Sequence, residues 1–221
     1  MSEKIRVDIT PLEHVTAILY PASGKRLPLR LILAHGAGSN QLTPSMTRMA
    51  TALSGHGIET ITFNFLYSEK KKRVPDKNDK LETCWRRIIE TFHEKNRALV
   101  IGGKSMGGRI ASQVAAADSS GLSGLVFLGY PLHPPGRPEQ LRDKHLPSIK
   151  VPMLFVQGSK DAFGTPDELK PILKKLKTAE LSIVENGDHS FKVPKSAGVA
   201  QDEVDVSVLD TIETWLKRRI L

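Results

Sequence analysis

The chain has 221 residues, 39% of them hydrophobic and 25% charged, with a formal net charge of +8 and a single cysteine, Cys84. That size and mix suit one globular domain spanning residues 1–221; they exclude a disordered or collagenous chain, and no apolar run reaches membrane-spanning length. One cysteine excludes an internal disulfide and, with no signal-peptide core near the start, fits a cytoplasmic protein.

Residues 4–9 and 14–20, separated by Thr10-Pro11-Leu12, read as an antiparallel edge pair. Six short apolar runs follow, at 29–34, 60–65, 98–101, 124–128, 152–157 and 181–184. Each has strand length and almost continuous hydrophobicity, the pattern of strands buried on both faces of a parallel sheet. Helical stripes lie between most of them. Residues 45–54 align Met46, Met49, Ala50 and Leu53, and residues 81–95 carry Trp85, Ile88, Ile89 and Phe92. Residues 109–117 are helix-competent. Residues 167–176 and 204–220 repeat the helical spacing, the last through Val208, Ile212, Trp215 and Leu216. Alternating strands and helices imply right-handed crossovers and a three-layer α/β/α sandwich, with a mostly parallel sheet of about eight strands. The connection 131–152 is short and proline-rich, so no separate lid domain is expected.

The positive charge is concentrated in Lys70-Lys71-Lys72-Arg73 and Lys217-Arg218-Arg219. These read as a solvated loop and a basic helix end, where cations suit the helix dipole. No nucleic-acid module or aromatic stacking pattern accompanies them, so neither a nucleic-acid nor a membrane partner is expected.

Residues 103–107 read Gly-Lys-Ser-Met-Gly, between the apolar run 98–101 and the helical run 109–117. Strand, tight turn, serine and helix make the context of a nucleophile elbow. Side chains two positions before and after Ser105 would collide with neighbouring strand and helix, which suits Gly103 and Gly107. A serine hydroxyl needs an adjacent base and an acid to orient that base. The acid that best fits is Asp161, after the run 152–157, with Asp143 as its rival one strand earlier. The base is His189, just past the run 181–184. Both acid and base then leave the C-terminal ends of strands, where open α/β sheets place their sites. His35-Gly36-Ala37-Gly38 ends the first buried run, and its glycines let the backbone turn an N–H inward; Met106 offers a second N–H.

Other readings compete. Ser105 also fits a helix N-cap. Gly103-Lys104-Ser105 mimics the end of a phosphate-binding loop, but the first glycine that such a loop requires would fall at Ala98. A non-catalytic binding module on the same fold is a further alternative. His35 reads as structural, bonded to nearby backbone, and is carried with Gly36, Lys104 and His133 as candidate pocket lining. His145 reads as a surface residue and Cys84 as a helix residue without chemistry. Histidines and carboxylates show no helical metal-ligand spacing, so no metal and no cofactor are expected.

On these motifs the chain resembles the α/β-hydrolase superfamily, close to small dienelactone-hydrolase-like serine hydrolases. The phrases 103–108, Tyr130-Pro131-Leu132-His133, Leu141-Arg142-Asp143 and 158–161 resemble the branch that includes testis-expressed hydrolase-like proteins. The resemblance spans the whole chain. It implies Ser105 as nucleophile, Asp161 as acid, His189 as base and Ala37 and Met106 as oxyanion donors. A small-molecule carboxylic ester, with thioesters behind it, is the expected substrate, and a monomer or homodimer the expected state. Dienelactone hydrolases carry cysteine at the nucleophile position, so Ser105 argues against a dienelactone substrate.

Overall fold

A computed structural model describes residues 2–221. The strands are β1 (Glu3–Thr10), β2 (Glu13–Tyr20), β3 (Leu29–Ala34), β4 (Glu59–Phe63), β5 (Ala98–Lys104), β6 (Gly124–Leu128), β7 (Met153–Gly158) and β8 (Ala179–Val184). They form one sheet in the order β1-β2-β4-β3-β5-β6-β7-β8. β1 and β2 pair antiparallel, β2 meets β4 antiparallel, and every pairing from β4 to β8 is parallel.

The near-continuous apolar runs follow from this layering. On one face, α1 (Pro44–Gly55) and α6 (Gln201–Arg219) cover Leu31, Leu33, Val100, Val126 and Val156. On the other, α2 (Leu66–Glu69), α3 (Asn78–Phe92), α4 (Met106–Ala117) and α5 (Pro166–Leu173) cover Ile32, Ile101, Phe127 and Phe155. Successive strand residues point to opposite faces, so each central strand needs apolar residues at every position. Burial of these two clusters is the main favourable contribution to folding, at about 25 cal/mol per Å² of apolar surface.

The expected elements all form, with shifted ends. The run 60–65 stops as a strand at Phe63, because the Phe65 N–H turns away to His35 Nε2 at 3.3 Å. β5 runs on to Lys104, since Gly102 and Gly103 still pair with Val126 and Phe127. α3 starts three residues earlier than the stripe 81–95 and ends at Phe92. α4 begins at Met106 rather than at 109, with Gly107 and Gly108 inside it. α2 was not anticipated. α5 opens on a capping box, with Thr165 N–H donating to Glu168 Oε2 at 2.7 Å. The 131–152 connection holds only a 3-10 turn, Leu146–Ser148, and no lid.

Two readings of polar residues change. His145 is half-buried and its Nε2 lies 2.7 Å from Ser112 Oγ, so it pins the 131–152 connection to α4 instead of lying free on the surface. The run Lys217-Arg218-Arg219 is not merely a solvated helix end. Arg218 and Arg219 both pair with Glu180, which ties α6 to β8. In the other run, Lys70 pairs with Glu13 while Lys71, Lys72 and Arg73 are exposed. At the N-terminal ends of β3 and β4, Arg30 pairs with Glu59 and Glu94, and Arg97 with Glu59, in a largely buried network.

Candidate active site

Three strand ends on the C-terminal edge of the sheet bring Ser105, Asp161 and His189 together. β5 and α4 meet at Ser105, whose backbone is held at φ 50°, ψ −119°. That is a strained left-handed turn for a residue with a Cβ. Its flanking glycines are required by space. A Cβ on Gly103 would stand 2.2 Å from Ala34 O, and one on Gly107 2.6 Å from both Ala34 O and His35 O. Ser105 occupies the N-cap position of α4, yet its side chain caps nothing there. Its Oγ–H instead donates to His189 Nε2 at 2.8 Å.

The other ring nitrogen, His189 Nδ1–H, donates to Asp161 Oδ2 at 2.8 Å. Asp161 follows β7, is 1% exposed, and is held by two further donors. Gln157 Nε2 reaches the same Oδ2 at 2.8 Å, and Phe163 N–H reaches Oδ1 at 2.8 Å. These bonds fix the carboxylate against the imidazole and set its tautomer, which leaves Nε2 as the acceptor facing Ser105. Phe163 stacks on the His189 ring with centroids 4.1 Å apart. Asp143 makes no such contact; its carbonyl accepts from Leu146 N–H. The acid that meets His189 is therefore Asp161.

The turn after β3 lies against Ser105. A Cβ on Gly36 would sit 3.5 Å from Ser105 Cβ. The N–H groups of Ala37 and Met106 donate to no other described group. His35 holds this turn from behind. It is fully buried, its Nδ1–H donates to Gly36 O at 2.8 Å, and its Nε2 accepts from Phe65 N–H. Burial pushes its pKa down to about 4, so the ring is neutral. His35 is thus a structural post and not pocket lining. His133 is likewise 5% exposed and tied between Pro134 O at 2.8 Å and Glu168 at 3.2 Å, so it anchors the 131–152 connection to α5. Lys104 does line a cavity of about 750 Å³ between α1, the His189 loop and the start of α6.

Gln157 and Phe163 were not singled out from sequence. Gln157 alone had a signal, as an amide closing an otherwise apolar strand. It is fully buried, and besides Asp161 it bonds Gly164 O at 2.7 Å and Tyr130 N–H at 2.8 Å. Ala98–Lys104 is strand throughout, so no glycine loop precedes Lys104-Ser105 to cradle a phosphate. Burial raises the Cys84 thiol well above the usual range and keeps it inert. On the surface, His56, Asp210 and Glu213 offer ligand-type atoms within 4.8 Å of one another. His56 already pairs with Glu213 there, linking the end of α1 to α6. Among the described residues, no helix is long and apolar enough to cross a membrane.

A family model described as an alpha/beta hydrolase domain matches residues 28–217. Among solved structures, the chain is similar to an alpha-beta serine hydrolase homologue from Coxiella burnetii, with 17% identity, a TM-score of 0.75 and 97% of each chain covered. It is similar to an a/b serine hydrolase without a lid from Xanthomonas campestris, with 19% identity, a TM-score of 0.77, and 99% of this chain and 95% of that one covered. It is also similar to a dienelactone hydrolase from Anabaena variabilis, with 18% identity, a TM-score of 0.74, and 100% and 99% covered. At these identities the likeness is one of fold.

Proposed function

The chain belongs to the alpha/beta-hydrolase family, and from that premise we propose that it is a serine hydrolase cleaving carboxylic esters of small molecules, with thioesters as the second class. The observation that carries the reading is the unbroken relay from Ser105 Oγ to His189 Nε2 and from His189 Nδ1 to Asp161, both links at 2.8 Å. Its geometry is that of a nucleophile, a base and an orienting acid.

In the proposed mechanism, His189 Nε2 takes the Ser105 proton as Oγ attacks the ester carbonyl. Negative charge develops on the carbonyl oxygen, and the Ala37 and Met106 N–H groups donate to it. Each such donor contributes on the order of 3 kcal/mol to the transition state. His189 then gives the proton to the leaving alkoxide, and the acyl group stays on Ser105. Water enters and attacks the acyl carbonyl as His189 takes its proton, and His189 returns that proton to Ser105 Oγ as the tetrahedral intermediate collapses and releases the acid. The strained backbone at Ser105, and a hydroxyl bonded to His189 and not to the start of α4, support this reading over an N-cap role.

The test is active-site labelling. A fluorophosphonate probe should label the wild-type protein and leave Ser105→Ala unlabelled, and hydrolysis of p-nitrophenyl butyrate should vanish with the labelling. Equal labelling of both proteins would overturn the assignment.

A further inference from the structure

The 750 Å³ cavity reaches the chain neighbours of both reacting residues, Lys104 beside Ser105 and Ser190 beside His189. Met46, Met49, Leu128, Phe191 and Val208 supply its apolar wall, and the exposed Arg48, Lys192 and Asp202 and the half-buried Asp205 also line it. Among the cations of the lining, Arg48 and Lys192 are exposed and Lys104 alone is drawn in from solvent. It is half-buried, and burial pulls its ammonium group below the ordinary lysine range, against the attraction of Asp188. No described residue bonds to that ammonium group. Its two carboxylate neighbours are engaged elsewhere. Asp188 accepts from Ser190 N–H at 2.7 Å and Lys192 N–H at 2.9 Å. Asp205 accepts from Gln201 at 2.9 Å and faces Arg48 at 3.9 Å.

A cation taken partly out of water without a partner costs free energy, and in a cavity beside a nucleophile that cost is recovered when a ligand supplies the counter-charge. We infer that this cavity receives the apolar body of a carboxylated ester, with Lys104 pairing the substrate's free carboxylate; the inference rests on the serine-hydrolase reading above. A neutral ester of the same length fills the same apolar wall and leaves Lys104 unpaired. The carboxylated ester therefore gains a charge-assisted hydrogen bond, worth about tenfold or more in kcat/KM.

The test compares esters matched in length. Mono-p-nitrophenyl adipate is set against p-nitrophenyl hexanoate, which places the carboxylate in the acyl half. 6-Acetoxyhexanoate is set against hexyl acetate, which places it in the alcohol half. p-Nitrophenyl 6-aminohexanoate reverses the sign of the charge. The carboxylated ester should be favoured about tenfold in kcat/KM in one of the two pairs. Lys104→Met should bring that ratio to near one, and Lys104→Arg should keep it. No preference in either pair, a preference that survives Lys104→Met, or a preference for the ammonium ester would overturn the inference. A second measurement separates it from the reading it rests on. Calorimetric binding of monomethyl adipate to Ser105→Ala should be lost in Ser105→Ala/Lys104→Met. If that Lys104-dependent binding is found while the wild type escapes fluorophosphonate, the hydrolase reading fails and the anion site stands. Labelling and turnover without any Lys104-dependent selectivity would sink the anion site alone.

Discussion

Asp161 shows how a single residue is specified at several levels. Its place after a buried strand is visible in the sequence, and so is its order between Ser105 and His189. What selects it over Asp143 is contact: His189 Nδ1, Gln157 Nε2 and Phe163 N–H all converge on its carboxylate. Asp161→Asn should therefore lower ester turnover by about 10⁴-fold through the wrong imidazole tautomer. Asp143→Asn should stay within about threefold of wild type, since Asp143 touches none of the reacting groups. A stopped assay of the two variants on one ester decides it, and the reverse order would move the acid. Ser105, Gly103, Gly107 and His189 were legible because a short motif or a place just past a buried run marks them. Gln157, Phe163 and His145 were not, because their partners Asp161, His189 and Ser112 are chosen by packing across segments.

At the scale of elements, the elbow works because β5 and α4 approach the end of β3 with no room for side chains. Ala34 O stands against both Gly103 and Gly107. A methyl group at Gly107 must push the α4 start away from β3, and with it Met106 N–H. Gly107→Ala should lower the melting temperature by at least about 5 °C and slow fluorophosphonate labelling at least tenfold. Retention of both values would show that the turn has slack. Strand and helix existence could be read from hydrophobic period, which is local. Their ends could not. β5 continues through two glycines that look like turn residues, because β3 and β6 on either side supply hydrogen-bond partners. α3 starts before its first apolar residue, and α2 has too few residues to show a period.

The whole molecule is held by two packed faces and by polar groups at opposite ends of the sheet. At the N-terminal end of the strands, the Arg30–Glu59–Arg97 network is largely buried. Removing a buried partner leaves charge uncompensated, at a cost of about 3 kcal/mol. Glu59→Gln should lower the melting temperature by roughly 6–12 °C. Ester turnover at 25 °C should hold within about threefold, since the network lies at the far end from Ser105. At the C-terminal end, His35 gives the fold a pH dependence. Its pKa is about 4 in the folded chain and about 6.5 unfolded. The unfolded chain binds the extra proton between those values, so stability is full above pH 6.5 and falls as pH drops toward 4. The loss from this group is about 2 kcal/mol at pH 5. Urea midpoints at pH 5 and 7.5 should differ less in His35→Gln than in wild type, whatever that variant's absolute stability. An unchanged difference would remove His35 as the source.

Much of this protein is set by local rules acting along the chain. Hydrophobic period decides strand or helix, the spacing of Gly103 and Gly107 around Ser105 marks the tight turn, and Ser105, Asp161 and His189 follow successive strand ends in chain order. The tertiary structure decided which charges and hydrogen-bonding groups meet. It brought Asp161 to His189, set Gln157 and Phe163 beside them, turned His35 and His133 into posts, and left the half-buried Lys104 without a hydrogen-bond partner at the cavity. Burial and partnership depend on which distant segments the sheet order brings side by side, and no spacing along the sequence encodes that.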